Sequence, residues 1–120
     1  MSRFRDLLAH PDVDEVCVLR NHDDPRERRI GFMAYHGGGL EAMTDVIARE
    51  AADRSGVSYY GVHQPPGMED HIPSIDVSPD HSPALSSFID HVQTVITIHG
   101  YGRRGLFSSL LVGGRHREFA

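Results

Sequence analysis

The clearest signals along the chain are short apolar runs closed off by turn residues. Val13 to Leu19 alternates and then becomes wholly apolar, which predicts a first strand. Arg29 to Tyr35 carries the uninterrupted run Ile30-Gly31-Phe32-Met33-Ala34-Tyr35, short enough for a buried strand, and it ends at His36 and Gly37 to Gly39. Val57 to Val62 is a third strand. Thr94 to Ile98 is a fourth, ending at His99-Gly100, and Phe107 to Val112 is a fifth, closed by Gly113-Gly114. Between these runs the period changes. Met43, Val46, Ile47 and Ala51 recur at helical spacing, which predicts a helix from about Glu41 to Asp53 with Gly56 as its stop. Ser82-Pro83 predicts another helix, with serine as N-cap and proline in the first helical position, running to His91. Phe4 to Ala9 reads as a short amphipathic turn or helix before Pro11, and Asn21 to Pro25 as a turn. Residues 63–82 hold four prolines and read as a long loop, a kind of segment that in compact domains usually carries function.

Strands alternating with helices predict an α/β fold, a three-layer α/β/α arrangement around a mostly parallel or mixed sheet. The 120 residues fit one domain, 1–120, without internal repeats or a linker.

Composition narrows the function classes. Hydrophobic residues make up 39% and charged residues 24%, ordinary values for a globular protein. No apolar run reaches membrane-spanning length, and Met1 to Asp6 has two arginines but no following apolar segment, so neither a membrane span nor a secretory signal is expected. Cys17, the one cysteine, lies in the apolar run Val16 to Leu19 and reads as a small buried residue; a reducing, cytoplasmic compartment is the expectation. The net charge of -5 argues against nucleic acid as a partner, and a monomer is expected. The charge is uneven: residues 99–120 carry Arg103, Arg104, Arg115 and Arg117 against Glu118 alone. There is no lysine, and arginine binds carboxylates through two parallel bonds where lysine does not. Nine histidines in so short a chain direct attention to metal binding.

Two histidines occupy informative positions. In open α/β sheets ligands bind beyond the carboxyl ends of the strands. His36 ends one predicted strand and His99 another, so if those strands are parallel neighbours both imidazoles reach one crevice. Glu41, opening the next helix, can bring a carboxylate to the same place. Two His and one Glu form a known catalytic zinc set with an open fourth position, in which the ion activates water and polarises a carbonyl. Rival readings are weaker. His36-Gly37-Gly38-Gly39 matches an esterase oxyanion motif, but no G-x-S-x-G elbow accompanies it. The glycine turn lacks both phosphate-loop patterns.

The motif His36-Gly37-Gly38-Gly39-Leu40-Glu41 with Thr44, followed by Ser58-Tyr59-Tyr60-Gly61, His71-Ile72-Pro73-Ser74, Ile98-His99-Gly100 and Val112-Gly113-Gly114, resembles the poly-γ-glutamate hydrolases, a family that includes phage-encoded enzymes. The match runs from about Phe4 to Gly114 and departs from the family pattern at Ala42, where proline is usual. The resemblance implies a zinc-carboxypeptidase-like fold and zinc-dependent hydrolysis of γ-glutamyl amide bonds in poly-γ-glutamate or a related peptide-like polymer. It places the zinc ligands on His36, Glu41 and His99 and a further characteristic histidine, expected near substrate, on His71. Arg103 and Arg104, in the cationic segment after His99, are the candidates for binding a substrate carboxylate. Family members continue several dozen residues beyond the equivalent of Gly114, and the general-base glutamate is expected there. The chain is therefore expected to be a C-terminally shortened member whose base lies outside it. The alternative is a non-catalytic module of the same fold that binds metal or polyanion.

Overall fold

A computed structural model describes residues 3–21, 30–38, 43–68, 72 and 76–100. Among them lie helix α1 (Arg3–Leu8), strands β1 (Asp14–Val18) and β2 (Ile30–Gly38), helix α2 (Thr44–Ser55), strand β3 (Ser58–Gln64), a 3-10 turn (Pro79–His81), helix α3 (Pro83–His91) and strand β4 (Thr94–Thr97). The predicted strand at 107–112 lies outside the described residues.

The four strands form one mixed sheet in the order β1-β3-β2-β4. β2 runs parallel to both its neighbours, β3 and β4, and β1 is antiparallel to β3. A central strand has cores on both sides, which is why β2 reads as an apolar run without alternation. Met33 and Tyr35 point to one face, with Tyr60 and Val62 of β3, Phe4 and Leu7 of α1, and Leu85 and Phe88 of α3. Phe32 and Ala34 point to the other face, with Tyr59, Val57 and the α2 residues Ala48 and Ala52. Helices thus cover both faces, and the three-layer α/β expectation holds. Burying each large side chain of these clusters contributes about 1.5–3 kcal/mol. No helix among the described residues is long and apolar enough to cross a membrane.

α3 starts as its sequence predicts. The Ser82 hydroxyl oxygen accepts the Leu85 N–H at 3.0 Å, satisfying one of the orphan donors of the first turn. That hydroxyl also donates to Glu15 on β1, and the Tyr60 phenol of β3 donates to the same carboxylate oxygen, each at 2.5 Å. One oxygen of Glu15 therefore joins β1, β3 and α3. Burial first, and the bond to Glu15 second, hold the Tyr60 hydroxyl protonated far above the ordinary phenol range.

Four expectations need correction. β2 runs on to Gly38, so His36 sits within the strand and not after it. α2 begins at Thr44, because Met43 adopts a left-handed conformation (φ 72°) that a helix cannot include. Its buried face is Thr44, Ala48 and Ala52, while Met43, Val46 and Ile47 are 56%, 46% and 52% exposed. Small side chains on that stripe let the helix lie close to the sheet, which turns the bulkier apolar ones outward. The segment after Val62 is not all loop, since it completes β3 and holds the 3-10 turn. Cys17 is half-buried, its thiol donating weakly to the Ala84 carbonyl.

Candidate metal centre

The first element of the site is an irregularity in β2. Ala34 pairs with Gly61 and Gly37 with His63, so Tyr35 and His36 together oppose the single residue Val62. This is a β-bulge. In a regular strand consecutive side chains leave on opposite faces, yet the Tyr35 and His36 ring centroids are only 4.5 Å apart, packed edge to face. Both lie on the α1/α3 side. Tyr35 belongs to that core, and the His36 ring, 3% exposed, donates through Nε2 to the Ile72 carbonyl at 2.7 Å.

β4 supplies the second imidazole. Its parallel pairing with β2 runs from Ile30↔Thr94 to Met33↔Thr97, and the Ile98 N–H continues it onto the Met33 carbonyl. His99 follows at once, at the carboxyl end of the sheet. Its ring centroid lies 5.5 Å from that of His36 and 5.1 Å from that of Tyr35, and its Nε2 is 3.3 Å from the Tyr35 hydroxyl. The condition set by the sequence, that the two histidine-bearing strands be parallel neighbours, is met. Glu41, His71, Arg103 and Arg104 lie outside the described residues, and among the described residues no three His, Cys, Asp or Glu side chains are grouped to hold a metal.

The donors present fit a zinc ion. Two imidazoles sharing one tetrahedral ion, with Zn–N distances of about 2.0–2.1 Å, bring their ring centroids to roughly 5 Å. The observed 5.5 Å is close to that spacing. A metal-binding histidine also normally gives its second nitrogen to an oxygen partner, which fixes the tautomer. For His36 that partner is the Ile72 carbonyl.

A second pair carries no sequence motif. His63 Nδ1 meets Asp45 Oδ2 at 2.5 Å, and Asp45 Oδ1 accepts the Gly38 N–H at 3.3 Å. Burial works against the Asp45 carboxylate, but the bonds from His63 and Gly38 outweigh it and hold the carboxyl below its ordinary range. Asp45 thereby ties the end of β2 to the first turn of α2, closing the span that contains Glu41. The glycines serve this closure. Gly38 has φ 73°, and a Cβ there would meet the Gln64 backbone oxygen, while a Cβ at Gly37 would meet Asp45. Both glycines thus clear room for Asp45 and for β3. No periodicity marks the pair, because its two residues stand on different elements, 18 positions apart.

An open groove of about 500 Å³ lies on the α2 side of the sheet, lined among others by Asp14, Asp45, Glu50, Asp53, Arg49 and His63. Its four carboxylates make it a poor seat for a polyanion. Tyr59, on the same side, has its hydroxyl pushed up to about 12, chiefly by burial and then by Asp45. Neither His36 nor His99 borders this groove.

Comparison with known proteins agrees with the motif order. Residues 2–120 match the model of the poly-gamma-glutamate hydrolase family. The chain is 38% identical, over 120 residues, to the SPbeta prophage-derived UPF0714 protein YoqZ of Bacillus subtilis (strain 168). That alignment covers 99% of this chain and 41% of the relative, so the chain spans about two fifths of the relative's length. No solved structure matches, and the carboxypeptidase-like relationship rests on the sequence resemblance. Because the family's model matches residues 2–120, nearly the whole of this chain, the chain belongs to the poly-gamma-glutamate hydrolase family.

Proposed function

We propose that this chain is the metal-binding part of a zinc-dependent hydrolase that cleaves γ-glutamyl amide bonds in poly-γ-glutamate or a related peptide-like polymer. One observation carries the reading: His36 and His99 stand 5.5 Å apart, ring to ring, at the carboxyl ends of adjacent parallel strands. His36, Glu41 and His99 are the residues that would hold the ion. When bound, zinc supplies a Lewis acid toward a water molecule and the scissile carbonyl.

The protein's own groups do the rest. Ile72 fixes the His36 ring through its carbonyl, and His71 is the histidine that the family resemblance assigns to the substrate side. Arg103 and Arg104 follow His99 in the cationic end of the sequence and would bind substrate carboxylates in pairs of hydrogen bonds. The acidic groove on the α2 side disfavours the polymer, which leaves the His36–His99 side for it. The family resemblance places the general base beyond the equivalent of Gly114, outside these residues, and lack of such a base costs about 10²–10⁴ in rate.

The test is zinc titration of the 120-residue chain and of His36→Ala and His99→Ala, with digestion of purified poly-γ-glutamate alongside. One zinc per chain, bound far more weakly in both variants, with slow or no digestion is the expected result. Unchanged zinc content in both variants would remove the site. Rapid digestion by the chain alone would show that the base lies within it. Zinc binding with no hydrolysis even by the full-length product of the coding sequence would favour the non-catalytic module.

A further inference from the structure

We infer that Tyr35 is a positioning residue of the metal centre: its hydroxyl holds the His99 imidazole in the orientation from which that ring meets the ion. The inference rests on reading His36, Glu41 and His99 as ligands, and it adds a residue that neither the family motif nor strand-end logic selects.

The two histidines reach the centre under different constraints. His36 is buried within β2, and its Nε2–H is bonded to a backbone carbonyl. His99 is exposed and stands beyond the end of β4, where ladder pairing with β2 has stopped. A side chain so placed loses rotamer freedom when it binds an ion, and a fixed partner lowers that cost. Ligating histidines usually obtain this from an oxygen that accepts the N–H of the second ring nitrogen. At His99 the oxygen is the Tyr35 hydroxyl, 3.3 Å from Nε2. A phenol oxygen can accept as well as donate, so it suits the tautomer with a protonated Nε2.

Tyr35 is well anchored for this task. It is 6% exposed and packed in the same core as Val62, Leu85 and Phe88. Its ring meets both imidazoles edge to face, at 4.5 Å from His36 and 5.1 Å from His99, with interplanar angles of 69° and 84°. The bulge is what brings His36 to the side that Tyr35 already faces. One rigid ring thus touches both histidines, and its hydroxyl reaches the less constrained of the two.

The test is a double-mutant cycle on zinc affinity, read by competition with a chromophoric chelator. It uses the 120-residue chain, Tyr35→Phe, His99→Ala and the double variant, with the cobalt(II) absorption spectrum as a second readout. Tyr35→Phe keeps the ring and removes only the hydroxyl. It should weaken zinc binding about 10- to 100-fold, the usual effect of losing an outer-shell partner, and alter the cobalt bands. In the His99→Ala background the same change should have no further effect. Unaltered affinity in Tyr35→Phe would overturn the inference. So would an equal loss in both backgrounds, which would mark a general effect on folding. Failure of the unsubstituted chain to bind zinc would instead overturn the ligand assignment, and this inference with it.

Discussion

Replacing Asp45 by asparagine removes a charge but leaves an oxygen able to accept the Gly38 N–H, so it isolates the bond to His63. That bond is short, 2.5 Å, and joins the start of α2 to the end of β3. A hydrogen bond to a charged group contributes about 1.5–3 kcal/mol when shielded. The His63 side chain is 43% exposed and that of Asp45 14%, and solvent screening at the histidine lowers the figure to about 1 kcal/mol. Asp45→Ala, which also strands the Gly38 N–H, should cost about 1 kcal/mol more. The sign of the pH dependence follows from the carboxyl being held below its ordinary value. The folded state then binds the Asp45 proton less tightly than the unfolded chain does. The stability from this group is present above the ordinary carboxylate value, near pH 4, and is lost as pH falls through the lower folded value. Urea unfolding at neutral pH and at a series of acidic pH values, for the unsubstituted chain and Asp45→Asn, reads this directly. The stability gap between them should be open at neutral pH and narrow below about pH 4. A gap that stays constant into strong acid, or an Asp45→Asn/His63→Ala pair whose costs simply add, would refute the assigned bond.

Ser82→Ala removes both the α3 cap and one of the two hydroxyls on Glu15, and should destabilise by about 2–3 kcal/mol; Ser82→Thr, which retains a hydroxyl, should recover most of this in thermal unfolding. Gly38→Ala places a Cβ against the Gln64 backbone at a positive φ and should cost about 2 kcal/mol or more; an unchanged melting temperature would contradict the geometry at the end of β2. Phe88→Ala empties a fully buried position between α3 and the sheet and should cost about 3–5 kcal/mol, measured by denaturant unfolding.

The strands were legible because burial on two faces leaves an uninterrupted apolar signature, as in Ile30 to Tyr35, and because Ser82-Pro83 carries its helix start in its own side chains. That the strands bearing His36 and His99 are parallel neighbours agrees with the sequence, but the side His36 faces is set by the bulge. What escaped detection depends on partners distant in sequence. The outward turn of Met43, Val46 and Ile47 reflects how closely α2 approaches the sheet, a matter of tertiary fit that periodicity does not encode. The Asp45–His63 bond spans 18 positions and the Tyr35–His99 contact spans 64. The bulge that turns His36 beside Tyr35 is equally hidden, since Ala34-Tyr35-His36-Gly37 has no alternation that a slipped register would visibly disturb.

The bulge in β2 also divides the strand into two phases. Upstream of Tyr35, even-numbered residues face α2 and odd-numbered ones face α1 and α3; at His36 that parity reverses. Deleting a single residue anywhere between Ile30 and Tyr35 would therefore do more than shorten the strand. If the bulge were absorbed, His36 would remain opposite Val62, but Tyr35 would move opposite Gly61 and be carried to the α2 side, away from His99. A length change of one residue would break the Tyr35–His99 contact while leaving both residues in the sequence. Insertions and deletions in β2 should be tolerated far less than conservative substitutions at the same positions.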